Sequence, residues 1–396
     1  MSEKYNHAHT DPNNIDPYRI FFPLGVAFGI IGVSVWPLYS LGIVETIHSQ
    51  MHIDLQLQGF LFAFVLGFLL TAIPRFSQTW VASRIELILV TSFFVTGNVA
   101  TLMQCFLLGR ICFFVSLMSV FIFAMKRFVK RKSNPPNPFI FVGVGLVVGL
   151  LASVVRILHQ LDWFDSVVMD DFIARRMLSE GMTTLLVLGI GAKLIPLFFG
   201  TASFFPAGDP MITKRKDHRE RLWFVFLALS VVSSFFIEQQ GAESFAHLLR
   251  ASVISIVFLF HMKIWKKIKS KGVQVKSIKL ACWVTLLSFW STVIHPEYRI
   301  EVLHVMFIGG FGTLILCIAT RVILSHGQYP VESEKTSVTL FFGVALMIVA
   351  MVFRSISSLF PVQYFYLLGV SGICWIVGLS IWGIEYSKKA IVINKK

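Results

Sequence analysis

The stretch "HSQMHIDLQLQGFLFAFVLGFLLTAI", His48–Ile73, runs from a polar opening straight into an apolar segment of helix length. From Gly59 onward only Thr71 interrupts a series of apolar and small residues. A bilayer-crossing helix needs about 20 mostly apolar residues. The segment therefore reads as a membrane span. Its opening carries two histidines, an aspartate and three glutamines. Polar groups at such a depth are costly without partners, so the opening raises the question of what they hold.

The same solvent preference extends along the chain. Of 396 residues, 56% are hydrophobic and 14% charged, and the mean hydropathy is +0.74. Soluble domains carry roughly 25% charged residues. The 39 Phe against 8 Tyr suit a lipid-facing helix surface. Twelve segments have spanning length: 21–44, 55–73, 85–104, 108–125, 138–159, 178–200, 221–238, 243–262, 278–295, 301–324, 336–359 and 363–384. The ten-residue alternation of membrane barrels is absent, so helices are expected. The expected fold is an all-α, polytopic membrane protein of about twelve helices. Residues 1–20 and 386–396 read as polar and basic tails around one domain, 21–385. The first twenty residues lack the basic-then-apolar layout of a cleaved signal, so the first span is expected to be retained.

A net charge of +14 invites a nucleic-acid reading, and its distribution argues against it. Lys126–Lys132 and Lys214–Arg221 hold five Lys or Arg each, Lys263–Lys279 holds seven lysines, and the tail ends on Lys388, Lys389, Lys395 and Lys396. With twelve spans these fall on one side, while 45–54 and 239–244 have no Lys or Arg. That is the positive-inside pattern, which makes both termini cytoplasmic and membrane lipid the partner of the surface. The five cysteines lie in or beside apolar runs without a C-x-x-C pair, so neither a disulfide framework nor a thiolate metal site is expected. "GVGLVVG", 143–149, lacks the preceding strand of a nucleotide loop and reads as close helix packing through Gly145 and Gly149.

This topology places six histidines at the outer ends of spans: His48, His52, His159, His247, His295 and His304. Taken singly, each reads as an interfacial side chain. Two have informative neighbours. At 3.6 residues per turn, Gln56, Gly59, Ala63 and Gly67 share the face of His52. A strip of small residues gives clearance for a flat cofactor, or for a close-packed helix, and Gln56 could orient a ligand. His304 lies one turn inside segment ten, with Glu301 at i−3. Glu301 would either hold the second imidazole N–H or face the headgroups. Two histidines on two helices at one depth are what bis-histidine haem ligation requires. The remaining outer histidines, His48, His159, His247 and His295, offer a second imidazole-rich site suited to copper, zinc or iron.

On the inner side, Lys193, Arg75 and Arg321 read as a buried basic cluster for an anion or as a structural network, with snorkelling to the headgroups favoured for Arg75. Arg354, in segment eleven, has no partner evident in the sequence.

Four stretches carry a family resemblance: "GFLFAFVLGFLLTAIPRF" (59–76), "VVRILHQ" (154–160), "GAKLIPLFFG" (191–200) and "LHVMFIGGFGTLILCIATRVILSHGQ" (303–328). In order and across most of the chain, they resemble the NnrS family, haem- and copper-containing multispan proteins of the bacterial cytoplasmic membrane linked to nitric oxide metabolism and nitrosative-stress resistance. The resemblance implies haem b on His52 and His304, nitric oxide as the small gas ligand, and a family feature at Thr320, Arg321 and His326. The chain departs from the family's W-H-x-H-E-M run: Asp54 stands for the second histidine and Leu55 for the glutamate, and copper depends on that run. "HIDLQLQGF" is also similar to a motif among distant relatives of haem–copper oxidase subunit I. No catalytic residue is identified. The rival classes are a twelve-span secondary transporter, with Lys193, Arg321 and Arg354 facing a midplane cavity, and a membrane assembly factor for haem or copper.

Overall fold

The computed structural model describes residues 15–163, 171–201, 210–268 and 270–392, without the side chains of 210–216. The side chains of His7, His9, Lys214, Arg215, Lys216, Lys269, Lys395 and Lys396 lie outside that description. Twelve helices are long and apolar enough to span a bilayer: α1 (Tyr18–Ser40), α2 (Ser49–Ser77), α3 (Arg84–Leu102), α4 (Phe106–Val129), α5 (Phe139–Gln160), α6 (Asp171–Phe198), α7 (Asp217–Gln239), α8 (Glu243–His261), α9 (Val273–Ile294), α10 (Pro296–His326), α11 (Val331–Leu359) and α12 (Pro361–Ile391). Each overlaps its expected segment, and no strand occurs among the described residues. Helix α12 continues to Ile391, so the tail expected from 386 begins inside a helix.

The connection between α3 and α4 turns within three residues, 103–105. Gln104 takes a left-handed φ of 59°, and the Cys105 N–H donates to the Ala100 carbonyl at 2.8 Å. Gly97 and Gly109 let the hairpin close: a Cβ on Gly109 would lie 2.6 Å from Thr101 Oγ1 and 3.2 Å from the Gly97 carbonyl. The Gly145–Gly149 face behaves as expected for close packing, with Gly145 against Leu185 and Gly149 against Met182 of α6.

Among the twelve spans α2 is the most deeply buried, over nearly its whole length, whereas α11 is the least buried. Phenylalanine serves both environments. Phe21, Phe22, Phe60 and Phe62 are fully buried at and around the α1–α2 contact, while Phe341, Phe342 and Phe365 are exposed. The expectation of lipid-facing Phe thus holds for only part of the set. Arg19 Nη1 donates to the Ala390 carbonyl at 2.7 Å, which joins the start of α1 to the end of α12 on one side of the bundle. The openings of α2 and α10 therefore lie together on the opposite side.

Four spans contain π-helical turns: Leu55–Leu61 in α2, Met177–Met182 in α6, Ile256–His261 in α8 and Val305–Gly312 in α10. Such turns bond i to i+5, widen the helix and recur at functional sites. Two of them begin just after His52 and His304.

Candidate functional site

The first turns of α2 and α10 bring His52 and His304 together with their rings nearly parallel. Their ring centroids are 6.5 Å apart and their planes differ by 8°. The Nδ1–H of His52 donates to the Gly32 carbonyl of α1 at 2.8 Å. The Nδ1–H of His304 donates to the Ile300 carbonyl, one turn back, at 2.7 Å. These bonds fix the tautomer, so each Nε2 keeps its lone pair. Metal-bound imidazoles share this feature, with the second ring nitrogen anchored to a carbonyl. Metal–imidazole bonds are about 2.0–2.1 Å long; adding roughly 1 Å from nitrogen to ring centre on each side puts two rings on one metal about 6 Å apart. The observed separation of 6.5 Å is close to that value. Trp36 packs edge-on against His52, with centroids 5.4 Å apart.

The other polar residues of the α2 opening have partners too. Gln56 Nε2 donates to the Gly29 carbonyl at 2.9 Å, next to the carbonyl that holds His52. Asp54 is buried and accepts from Gln50 at 2.6 Å, from Gln58 at 3.1 Å and from Arg156 of α5 at 3.4 Å. The costly groups at the mouth of this span thus pin α2 to α1 and α5.

Three expectations need correction. The strip Gly59–Ala63–Gly67 does not line a cofactor space. A Cβ on Gly59 would meet Phe28 and Asn98 at 2.7 Å, one on Gly67 would meet Phe22 at 2.6 Å, and Ala63 packs under Gly25. The π turn at Leu55–Leu61 is the reason: it rotates later residues off the face that a 3.6-residue period assigns to His52. Glu301 does not hold the imidazole of His304. It faces Arg354 of α11 at 3.9 Å, because the Ile300 carbonyl already takes the Nδ1–H. Arg75 does not snorkel: it hydrogen-bonds His326 and lies 3.9 Å from Asp16, tying α2, α10 and the chain before α1.

The remaining histidines do not assemble. His48 is exposed at the cap of α2, His159 is half-buried at the end of α5, and His295 is exposed beside Glu297 at 3.1 Å. His247 is buried elsewhere. Among the described residues no three His, Cys, Asp or Glu side chains gather as a metal site. On the terminal side, Arg321 pairs with buried Glu334, and Thr320 accepts from Trp382 Nε1 at 2.9 Å. Lys193 lines a polar cleft with Asn137, Asp217 and Glu220. The structural-network alternative is the one realised for Arg321.

A buried ionic network was not read from the sequence. Glu180, in the π turn of α6, accepts from Arg176 Nε at 3.0 Å and pairs with Arg299 of α10. Glu238 of α7 pairs with Arg176 and with Arg250 of α8. His247 and Arg250 line a cavity of ≈ 10 Å³ beside this network, against α10. The signal was present: Glu180 and Arg250 stand within apolar spans, where ionisable residues require partners. A second, apolar cavity of ≈ 60 Å³ lies deeper along α2 and α10, lined by Leu57, Leu61, Leu186, Leu314 and Ile318.

Fold and site together define a class: a multi-pass, twelve-helix membrane bundle with a pair of parallel imidazoles near one face. The family model described as NnrS protein matches residues 15–391, and the chain belongs to the NnrS family. Comparison with curated proteins finds no match.

Proposed function

We propose that this NnrS-family protein binds one haem b between α2 and α10, with His52 and His304 as axial ligands, and handles nitric oxide in the bacterial cytoplasmic membrane. The observation that carries the reading is the imidazole pair: 6.5 Å between centroids, 8° between planes, and each Nδ1–H held by a backbone carbonyl. When bound, haem held by both rings would supply an iron that exchanges electrons, and it could take a diatomic gas only where one of the two imidazoles gives way. The protein's part is to fix both rings. His52 is fixed from a neighbouring helix and His304 from its own, so the two ligands are held unequally. The apolar cavity deeper on the same helices suits a small uncharged gas dissolved in the bilayer, since apolar cavities stay dry and take apolar guests. Copper has no comparable cluster in its favour, and neither rival class draws on a specific feature of the site.

The test is the visible spectrum of the purified full-length protein. The parent is expected to show a low-spin, bis-imidazole haem. His52→Ala and His304→Ala should each abolish it, and His261→Ala, on the terminal side, should not. Stable, monodisperse His52→Ala protein with the parent spectrum would overturn the assignment. A colourless parent prepared with haem supplied would overturn the haem reading altogether.

A further inference from the structure

Arg354 is the charged residue of the site that the ligand pair does not explain. It lies on α11, the least buried of the twelve spans, yet it is turned inward and only 8% exposed. A guanidinium out of water costs several kcal/mol unless it is paired and hydrogen-bonded. Its carboxylate neighbour, Glu301, is 3.9 Å away, beyond hydrogen-bond range. Among the described residues its side chain makes one hydrogen bond, from Nη1 to Ser357 Oγ at 3.2 Å. The five donors of a guanidinium are therefore largely uncommitted. Arg299 and Arg156 at this face each have a carboxylate partner, Glu180 and Asp54, although both keep buried nitrogens without a hydrogen bond. Glu301 lies one turn before His304, so Arg354 stands beside the helix that carries the second imidazole.

Haem b is a flat apolar ring with two carboxylates along one edge. An inward-facing, under-partnered guanidinium at membrane depth complements that edge, and its planar fork suits a carboxylate. We infer that Arg354 takes a porphyrin carboxylate, so that the charged edge of the ring lies toward α11. The inference rests on the haem reading above. Glu301 then serves as the counter-charge of Arg354 when no porphyrin is present.

The test compares haem b with its dimethyl ester, which keeps the iron and the ring but carries no carboxylate. Apo-protein, full length in detergent, is titrated with each. A hydrogen bond to a charged group is worth about 1.5–3 kcal/mol, so the parent should prefer haem b by about ten- to hundredfold. Arg354→Gln should lose that preference and bind both forms alike, and its haem should have a lower midpoint potential, because a positive charge near the iron favours the reduced state. Arg354→Lys should retain part of the preference. The ester comparison on the parent requires no variant, so misfolding of Arg354→Gln does not remove the test. Equal binding of both forms by the parent, with a low-spin spectrum in each, overturns the Arg354 assignment and leaves the haem reading intact. Undiminished preference in Arg354→Gln overturns it as well. Failure of the parent to form a low-spin complex with either compound overturns both.

Discussion

Asp54 shows what one residue does at the mouth of a membrane helix. It is 1% exposed, and its carboxylate is met by Gln50, Gln58 and Arg156. Removing one partner of a buried pair leaves the other charge uncompensated and costs about 3–5 kcal/mol, whereas an apolar replacement of both is often tolerated. Asp54→Ala is thus expected to lower the melting temperature of the purified protein strongly, and Asp54→Ala with Arg156→Leu to regain part of the loss. Melting of Asp54→Ala at the parent temperature would contradict a structural role for the pair. The residue types here were legible in the sequence. Their partners were not, because Arg156 lies 102 positions away on another helix.

Elements meet through small residues, and the consequence of enlarging one depends on what it faces. A Cβ on Gly189 of α6 would lie 3.0 Å from the Val142 amide nitrogen and 3.1 Å from the Pro138 carbonyl, both backbone. On Gly149 of α5 it would press on the Met182 sulfur and Leu117 Cδ2, the ends of flexible side chains. Overpacking costs about 1–3 kcal/mol where neighbours cannot yield. Gly189→Ala should therefore destabilise clearly more than Gly149→Ala, as read by melting in detergent; the reverse order would disprove the packing argument. At this scale the sequence was a partial guide. Helix existence and length followed from hydropathy. The π turns at Leu55–Leu61 and Val305–Gly312 did not, since nothing in the local composition marks them, and they displaced the small-residue face assigned to His52.

For the whole molecule, the bond from Arg19 to Ala390 puts the described ends of the chain on one side, and the imidazole pair lies on the other. Lys and Arg cluster at the terminal side, and from the positive-inside rule we propose that this side faces the cytoplasm. In a cysteine-free background, single cysteines at Ser133 and Lys271 should be protected from an impermeant reagent in intact cells, and those at Gln50 and Gln240 should be labelled. Strong external labelling at 271 would invert the arrangement and place the imidazole pair at the inner face.

The amino-acid sequence by itself determined the twelve spans, the family and the presence of a histidine at the opening of both α2 and α10. These depend on length, hydropathy and charge, which act along the chain. It also put six histidines at outer span ends and, through their neighbours and the family resemblance, already singled out His52 and His304, with Arg75, Glu301 and Arg354 left without firm partners. Only the tertiary structure set the His52 and His304 rings parallel with centroids 6.5 Å apart, gave each a carbonyl for its Nδ1–H, turned Glu301 from His304 to Arg354 and set Arg75 against His326. The physical reason is rotational: how far a helix is turned about its axis is fixed by the neighbours it packs against, and a π turn changes that rotation without changing the hydropathy that made the helix.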